Sequence, residues 1–467
     1  MNTSWLGIAV PAIVCVAAVV ALASWLAVDV TPQLEVRSEG LDGTPEPDPE
    51  DVPEPPLPGT PVAGSGQPAA IDGTWPWFRG PQRDAISHED VRLARSWPAN
   101  GPPVLWTVEM GEGYAAPVIS DGCVYVLDYD VAAEADTMRC LSLSDGLEIW
   151  RNSYPVLVAR NHGMSRTVPA IVGQNVITIG PRCHVACWDK VTGECRWLLD
   201  PVLSHDVTVP QWYVGQCPLV DGNRLILALA APKTLMMAVD VDTGDVLWET
   251  PNPFGWKMTH SSVVPVEFGG QRMYVYCASG GVVGVSDAGK ILWHSKDWKM
   301  HVALSPSPLD LGDGRLFLSS GYNKIGSLVL GLQQQDGKFI AEKIQELSPK
   351  QFNSEQQTPI LHDGHLFGVR KYRGGQLVCM DLEGNEIYNS GPDKFGLGPY
   401  MIADGLIFVM DNHGKLTMAK VSTTKYDPLG QFEVFQDGHD AWGPMALVAG
   451  HLVVRDMTRM SCLNVAK

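Results

Sequence analysis

A tight turn followed by a short apolar strand recurs eight times along this chain, and this repeat constrains the fold more than any other feature. Most of the turns carry Asp-Gly or Gly-Gly, which supply the positive φ that a two-residue hairpin needs. The repeats lie roughly 40 to 50 residues apart, which is the length of one four-stranded propeller blade. Their sequences are DGCVYVL at 121, GQNVITI at 173, DGNRLILAL at 221, GGQRMYVY at 269, DGRLFLSS at 313, DGHLFGV at 363, DGLIFVM at 404 and AGHLVV at 449. We therefore predict an all-β domain, an eight-bladed β-propeller over residues 103–467.

A second pattern marks the outer strand of the early blades. Four repeats end in a tryptophan that follows a glycine by four positions, in SLSDGLEIW (Trp150), KVTGECRW (Trp197), VDTGDVLW (Trp248) and SDAGKILW (Trp293). The segment PPVLWTVEM at 103–111 has the same outer-strand character but has no blade before it, and the last repeat stops one strand short. We predict that the strand around Trp106 completes the eighth blade, because a closed ring leaves no open sheet edge.

These repeats follow the pattern (Asp/Ser)-x-x-x-Gly-x-x-x-Trp, which resembles the tryptophan-docking repeat of the pyrroloquinoline quinone (PQQ) family of eight-bladed propellers. That family includes quinoprotein dehydrogenases and the barrel-assembly lipoprotein of bacterial outer membranes, and the resemblance covers residues 103–467. The preceding segment, WPWFRGPQRDAIS at 75–87, is similar to one that stands before the propeller in exported proteins of the same repeat family. The resemblance implies a PQQ-like, quinoprotein-like propeller.

The chain before the propeller divides into three segments. Residues 5–28 are twenty-four consecutive residues without a charge, which as a helix of about 36 Å would cross a hydrocarbon core of about 30 Å. We predict a transmembrane anchor within residues 1–30, with a cleaved signal segment as the alternative. Residues 31–74 are rich in proline and acidic residues and are predicted to form a disordered linker. Residues 75–102 carry several tryptophans, and we expect them to pack on the propeller, because aromatic side chains are costly to leave in water.

The charge of the chain limits its partners and its location. A formal net charge of -18 leaves no basic surface to release counterions from phosphate, which excludes nucleic acid as a partner. The segment after the apolar run carries Asp29, Glu35 and Glu39 against Arg37, and this weak charge signal favours a propeller outside the cytoplasm. We predict a propeller on the periplasmic side of the cell envelope, attached to the membrane by the N-terminal helix.

The stretch RCHVACWDKVTGECRW at 182–197 contains three cysteines and a histidine, a density typical of a metal site, a redox pair or a disulfide. Aligned on the tryptophans, however, Cys187 occupies the position that Cys140 holds in the preceding repeat and Ala238 in the following one. A position that alternates between Cys and Ala is typical of a buried core position with space for a small side chain only, where cysteine acts as a small hydrophobic residue. We predict core packing for Cys187 and no metal site in this stretch.

In a propeller, the connections from the outer strand of one blade to the inner strand of the next gather around one mouth of the central channel. Here these connections are rich in aromatic, basic and amide side chains, which is typical of a binding surface. The alternative is that they cap the channel and hydrogen-bond their own backbone. We predict twelve ligand-binding or partner-binding residues at the mouth: Tyr114, His162, Arg166, His205, Trp212, Tyr213, Lys257, His260, His301, Gln356, Tyr400 and Trp442.

The resemblance to the PQQ family implies two possible functions. Its dehydrogenases carry an adjacent cysteine pair near the quinone, an Asp base, and Glu and Asn ligands for calcium, and a CxxCH motif would bind a haem that takes the electrons. This sequence contains neither a Cys-Cys dipeptide nor CxxCH. We therefore predict no catalytic residue, no metal site and no required cofactor. The predicted function is a membrane-anchored, noncatalytic binding or scaffolding module whose partner is an envelope protein or polysaccharide. The alternative is a quinone-dependent alcohol or sugar dehydrogenase that uses PQQ with calcium.

Overall fold

Each turn-and-strand repeat forms the first hairpin of a four-stranded antiparallel blade. In six of these hairpins both turn residues have positive φ, for example 51° at Asp121 and 71° at Gly122, as a type I′ turn requires. In the part of the chain that is described, the strands form eight sheets, which confirms the predicted eight-bladed propeller. The computed structural model of the protein describes residues 15–16, 18–20, 22–23, 54–300, 303–322 and 325–467.

Within each of blades 1 to 7 the chain runs from an inner strand beside the channel to an outer strand at the surface. Blade 1 consists of Val118–Ser120, Cys123–Asp130, Ala135–Ser142 and Glu148–Pro155; blade 2 of Ala170–Val172, Asn175–Ile179, Val185–Asp189 and Cys195–Leu199; blade 3 of Leu219–Asp221, Arg224–Leu227, Thr234–Asp240 and Val246–Pro251; and blade 4 of Val264–Phe268, Gln271–Ala278, Gly281–Ser286 and Ile291–Ser295.

The second half of the ring repeats this order. Blade 5 consists of Leu309–Gly312, Arg315–Ser319, Ser327–Gln335 and Lys338–Leu347; blade 6 of Ile360–His362, His365–Arg370, Gln376–Met380 and Glu386–Asn389; blade 7 of Tyr400–Ala403, Leu406–Met410, Lys415–Lys420 and Pro428–Glu433; and blade 8 of Ala446–Val448, His451–Arg455 and Arg459–Asn464. Two short helices, Pro201–His205 and Tyr372–Gly375, lie in connections.

The fourth strand of blade 8 comes from the N-terminal side of the propeller. Val104–Glu109 pairs antiparallel with Arg459–Asn464, so that Trp106 lies opposite Cys462. The outer edge of the last blade is thereby covered by a strand that precedes the first blade in sequence.

The repeated Gly-x-x-x-Trp pattern connects neighbouring blades. The ring of Trp150 lies on the third turn of blade 2, where its Nε1 donates to Lys190 O at 3.3 Å. A Cβ added at Gly193 of that turn would come within 2.5 Å of the ring, and Gly193 also has a φ of 76°. Glycine is therefore required in this turn by the tryptophan of the blade before it. The same contact occurs between Trp106 and Gly146, Trp197 and Gly244, and Trp248 and Gly289.

The cysteine-rich stretch belongs to this blade core. Cys187 is fully buried and lies opposite Trp197 on the neighbouring strand. Cys140 and Ala238 are buried opposite their own tryptophans in the same register. A bulky indole thus faces a small residue in each of these three blades, and the prediction that Cys187 is a core residue is confirmed.

Residues 74–87, which we call the plug, lie within the central channel. Thr74–Trp75 pairs antiparallel with the inner strand of blade 1, and Ile86–Ser87 pairs in parallel with the inner strand of blade 7. Between them, Pro76 O accepts a hydrogen bond from Ile171 N of blade 2 at 2.7 Å. Trp75 is buried, whereas Trp77 and Phe78 are partly buried against the core of the propeller.

Two arginines attach the plug to blades on opposite sides of the channel. The guanidinium of Arg79 donates to Thr358 O at 2.7 Å and to Pro359 O at 2.9 Å, at the entrance to blade 6. Arg83 Nη2 donates to Val220 O of blade 3 at 2.6 Å. The plug therefore contacts the walls of the channel through main-chain pairing and through charged donors.

The C-terminal end of the predicted disordered linker is ordered against blade 1. Val62–Ala63 pairs with the outer strand of blade 1, and Gly64 N and Gly66 N donate to carbonyls of that strand at 2.9 and 2.8 Å. A Cβ at Gly64 would come within 1.8 Å of Glu148 O, so glycine permits this close approach. The predicted linker at residues 31–74 is corrected at its C-terminal end alone, because residues 59–69 are hydrogen-bonded to blade 1.

The other N-terminal predictions fall on residues that are almost all outside the described part. Of Met1–Asp42, only residues 15–16, 18–20 and 22–23 are described, and these are helical and exposed. The predicted anchor at 1–30 and the linker up to residue 53 therefore remain predictions. Among the described residues, no helix has both the length and the apolar character needed to span a bilayer.

Candidate functional site

A cavity of about 320 Å³ lies at one mouth of the channel, and we call it the mouth cavity. Its walls come mainly from the connections between successive blades, and Phe78 of the plug lines it from within the channel. The lining residues are Phe78, Tyr114, His162, Arg166, Val168, Trp212, Gly215, Cys217, His260, Ser262, Ser305, Tyr322, Glu355, Gln356, Gln357, Leu397, Trp442 and Pro444.

The structure brings together seven of the twelve residues that the sequence predicts at the mouth. They come from six different connections spread over more than 300 positions of the sequence, which shows that the propeller makes these loops converge. The seven residues are Tyr114, His162, Arg166, Trp212, His260, Gln356 and Trp442.

The other five residues do not line this cavity. His205 ends a short helix and lies 3.4 Å from Glu249 of blade 3. Tyr213 is buried, and its hydroxyl donates to Ala159 O at 2.7 Å. Tyr400 begins the inner strand of blade 7 and lines a separate small cavity beside the plug. Lys257 stands outside the lining, with its main-chain N–H donating to Ser279 Oγ, and His301 falls outside the described residues.

An aromatic stack forms one wall of the cavity. The rings of Tyr114 and Trp442 are stacked with centroids 5.1 Å apart, and the guanidinium carbon of Arg166 lies 5.2 Å from the Tyr114 centroid. Trp442 is held in place because its Nε1 donates to Asn412 Oδ1 at 2.9 Å and its carbonyl accepts from Gln357 Nε2 at 2.9 Å. The stack is therefore a preformed surface for a flat ligand face.

Burial changes the ionisation of three groups in the cavity. Burial lowers the pKa of His260 to about 4, with a further contribution from the positive charge of Arg166, so His260 is neutral at pH 7. Burial also raises the pKa of the Tyr114 hydroxyl to about 12 and lowers the pKa of Arg166. The cavity thus combines a neutral imidazole, a neutral phenol and a guanidinium.

Two further polar side chains of the cavity, those of Glu355 and Gln356, have partners of their own. Glu355 forms an ion pair with Lys371, whose Nζ lies 5.4 Å from the centroid of the Tyr322 ring. Gln356 Nε2 donates to the Tyr322 hydroxyl at 3.0 Å. The only carboxylate in the lining therefore already has a cation beside it.

A PQQ-dependent calcium site in the mouth cavity would draw its protein ligands from the lining residues. Calcium takes six to eight oxygen ligands, whereas the cavity has one carboxylate, Glu355, which is paired with Lys371. In the described part of the chain no group of three or more His, Cys, Asp or Glu residues has the arrangement of a metal site. The lining thus offers a calcium ion one carboxylate, which is already paired with Lys371, and the amide oxygens of Gln356 and Gln357.

The cavity also lacks an activated nucleophile among its described residues. Cys217 is its only thiol, and burial raises the pKa of this thiol to about 11, so it stays protonated at pH 7. Cys217 Sγ accepts from Val168 N at 3.3 Å. The hydroxyl of Ser262 is engaged in accepting from Cys217 N at 2.9 Å. Neither the Cys217 thiol nor the Ser262 hydroxyl is therefore activated as a nucleophile by its surroundings.

Sequence reasoning did not assign two important lining residues. Phe78 belongs to the plug, which lies before the propeller in sequence, and Tyr322 follows the second strand of blade 5 rather than an outer strand. The aromatic run WPWF at 75–78 was a signal for Phe78, since it had to be buried somewhere. Nothing in the repeat pattern distinguishes Tyr322 from other loop tyrosines.

The fold is shared with several solved structures, although no curated protein sequence matches the chain. BamB from Moraxella catarrhalis is 11% identical, with a TM-score of 0.52 over 78% of this chain and 99% of that one. The quinohemoprotein alcohol dehydrogenase from Comamonas testosteroni is 11% identical, with a TM-score of 0.58 over 84% and 81% of the two chains. The computationally designed Ika8 protein is 12% identical, with a TM-score of 0.52 over 78% and 100%. Such low identities show a common fold alone.

A match to a family model assigns the chain to a protein family as well as to a fold. The model described as outer membrane protein assembly factor BamB matches residues 96–200 and 134–390, which together span more than half of the chain. This range contains the four blades with the Gly-x-x-x-Trp pattern, and the match confirms the resemblance to PQQ-like propellers. The chain therefore belongs to the propeller family described as outer membrane protein assembly factor BamB.

Proposed function

We propose that this protein is a noncatalytic binding propeller of the cell envelope and that the mouth cavity is its binding site. The observation that carries the proposal is a preformed aromatic cavity in which the one carboxylate is ion-paired and the buried His260 is neutral at pH 7. Such a cavity offers flat surfaces and hydrogen-bonding groups but no activated nucleophile. Binding, rather than reaction, is what these residues support.

The family and the N-terminal sequence support the location. The family model is described by a role in outer membrane protein assembly, which favours an envelope protein as partner, and a polysaccharide of the envelope is the other candidate. Residues 5–28 have the length and the apolar character of a membrane anchor. The proposal therefore includes attachment by this segment, with the propeller on the periplasmic side.

A second candidate is quinone-dependent oxidation of an alcohol or a sugar. The aromatic walls at the mouth of the channel favour it, because they would suit a flat cofactor. Against it stand the single, ion-paired carboxylate of the cavity and the lack of a Cys-Cys dipeptide in the sequence. We rank this function below binding.

Photocross-linking tests the binding site on the full chain in its own host. Replacing Trp212 by p-benzoylphenylalanine puts the probe in the mouth cavity, and replacing Leu247 puts it on the exposed outer strand of blade 3 as the matched control. We expect cross-links to an envelope component from position 212 alone, and we expect Arg166→Gln to abolish them. Cross-links from position 247 alone would mean that the working surface is a blade edge.

A titration of the purified full chain separates the two candidate functions. PQQ with calcium is added while the quinone absorbance is followed, and dye reduction is then measured with alcohols and aldoses. The binding proposal expects no turnover. Saturable PQQ binding followed by dye reduction would establish the dehydrogenase instead.

A further inference from the structure

Arg166 carries a positive charge that no carboxylate balances among the residues that the structure describes. Its Nη2 donates to the carbonyl of Asn161 at 2.9 Å, whereas its Nε is buried and has no partner. The groups that interact with its charge are tyrosines and the neutral His260, with Tyr114 stacked beside it. A cation removed from water without a counterion is costly, so the cavity favours an anionic ligand.

A second observation also points to a missing ligand. The Tyr114 hydroxyl is buried and has no hydrogen-bond partner, although buried polar groups nearly always have one. The guanidinium carbon of Arg166 lies 5.2 Å from the centroid of the Tyr114 ring, so both unpartnered donors belong to residues of the same wall of the cavity. A carboxylate could accept hydrogen bonds from both groups at once.

The cavity also contains a group that can accept a hydrogen bond from a ligand hydroxyl and apolar surfaces that can pack against a ligand ring. His260 Nε2 is 2.9 Å from Tyr213 O, and because His260 is neutral at pH 7, this contact assigns the proton to Nε2 and leaves Nδ1 as an acceptor. The stacked face of Trp442 and the ring of Trp212 are apolar surfaces in the same cavity. The volume of about 320 Å³ lies at the lower end of the range for small-molecule sites, roughly 300 to 1,000 Å³, and suits a ligand of one or two rings.

We propose that the mouth cavity binds an acidic sugar, a hexuronate unit of an envelope polysaccharide, and this inference rests on the proposed binding function. Its carboxylate accepts hydrogen bonds from Arg166 and from the Tyr114 hydroxyl. Its ring lies against the indoles, and a ring hydroxyl donates to His260. The net charge of -18 repels anions from the rest of the molecule, so the binding depends on this one guanidinium.

Calorimetric titration of the purified full chain tests the proposal with D-glucuronate and D-galacturonate as probes, and with D-glucose and D-galactose as neutral counterparts. We expect the uronates to bind at least about 10-fold more tightly than the neutral sugars, the usual contribution of a charged hydrogen bond. Arg166→Gln should remove this preference, and Tyr114→Phe should weaken uronate binding by about 5-fold.

Arg151→Gln is the matched control, because it makes the same charge change on the exposed outer strand of blade 1, and it should leave the affinity unchanged. Thermal melting of each variant shows whether it is folded. Equal affinity for uronate and neutral sugar, or equal losses in Arg166→Gln and Arg151→Gln, would overturn the proposal.

The failure of this inference is distinguishable from the failure of the proposed function. If uronates do not bind but position 212 still cross-links to an envelope protein, the ligand class is wrong and the binding function stands. If PQQ binds and supports turnover, both proposals fail.

Discussion

Asp136 is a fully buried carboxyl in blade 1 whose main hydrogen bond comes from the Tyr154 hydroxyl at 2.7 Å. Burial raises its pKa to about 7, although Tyr154 and His184 partly oppose this shift. An unfolded Asp releases its proton near pH 4, so the contribution of Asp136 to stability falls as the pH rises from about 4 to 7 and is constant above. We predict that the difference in the free energy of unfolding between Asp136→Asn and the wild type increases by up to about 4 kcal/mol in favour of the variant as the pH rises from about 4 to 7. Urea unfolding between pH 4.5 and 8 measures this difference. The exposed Asp72→Asn variant controls for the charge change, and a gain that does not vary with pH would contradict the assignment.

At the scale of elements, the contact between a tryptophan of one blade and a turn glycine of the next determines how blades pack. Gly193→Ala would place a Cβ within 2.5 Å of the Trp150 ring. Gly173→Ala, in another turn of blade 2, has the same positive φ problem but nothing within 4 Å of the new Cβ. We therefore expect Gly193→Ala to lose about 1 to 3 kcal/mol more than Gly173→Ala, measured by urea unfolding of the full chain. Equal losses would mean that only backbone strain matters and that the indole contact contributes nothing.

At the scale of the whole molecule, the plug holds several blades to one another through the channel. Arg79 is central to it, because its guanidinium also donates to Arg83 O and Asp84 O, at 3.0 Å each, within the plug. Arg79→Ala leaves four carbonyls without this donor, and we expect a loss of about 3 kcal/mol or more. Chymotrypsin should then cleave at residues 77–78, which mass spectrometry detects and which the wild type resists. Arg95→Ala, which removes a surface ion pair to Asp404, is the control. Equal cleavage in both variants would argue that Arg79 does not hold the plug.

The candidate site could be predicted from the sequence in part. The sequence shows which residues lie in the connections between blades. From this we predicted that residues as distant as Tyr114 and Trp442 lie at the same mouth, and both line the mouth cavity. It failed for His205 and Tyr400, because a connection is long enough to place some of its residues on the outer rim or on the inner strand. The direction of each side chain depends on packing with neighbouring blades, which a repeat pattern does not encode.

By itself, the sequence determined the blade architecture of this protein. The hairpin dipeptides, the Gly-x-x-x-Trp spacing and the small residue opposite the tryptophan are all short-range sequence patterns. They recur with the period of the repeat, and this period predicts the blades. Only the tertiary structure decided that residues 74–87 enter the channel and that Phe78 lines the mouth cavity. An aromatic segment must be buried, but many surfaces of a propeller could bury it. The choice among them depends on carbonyls of blades 3 and 6 that meet Arg83 and Arg79 only after the ring has formed.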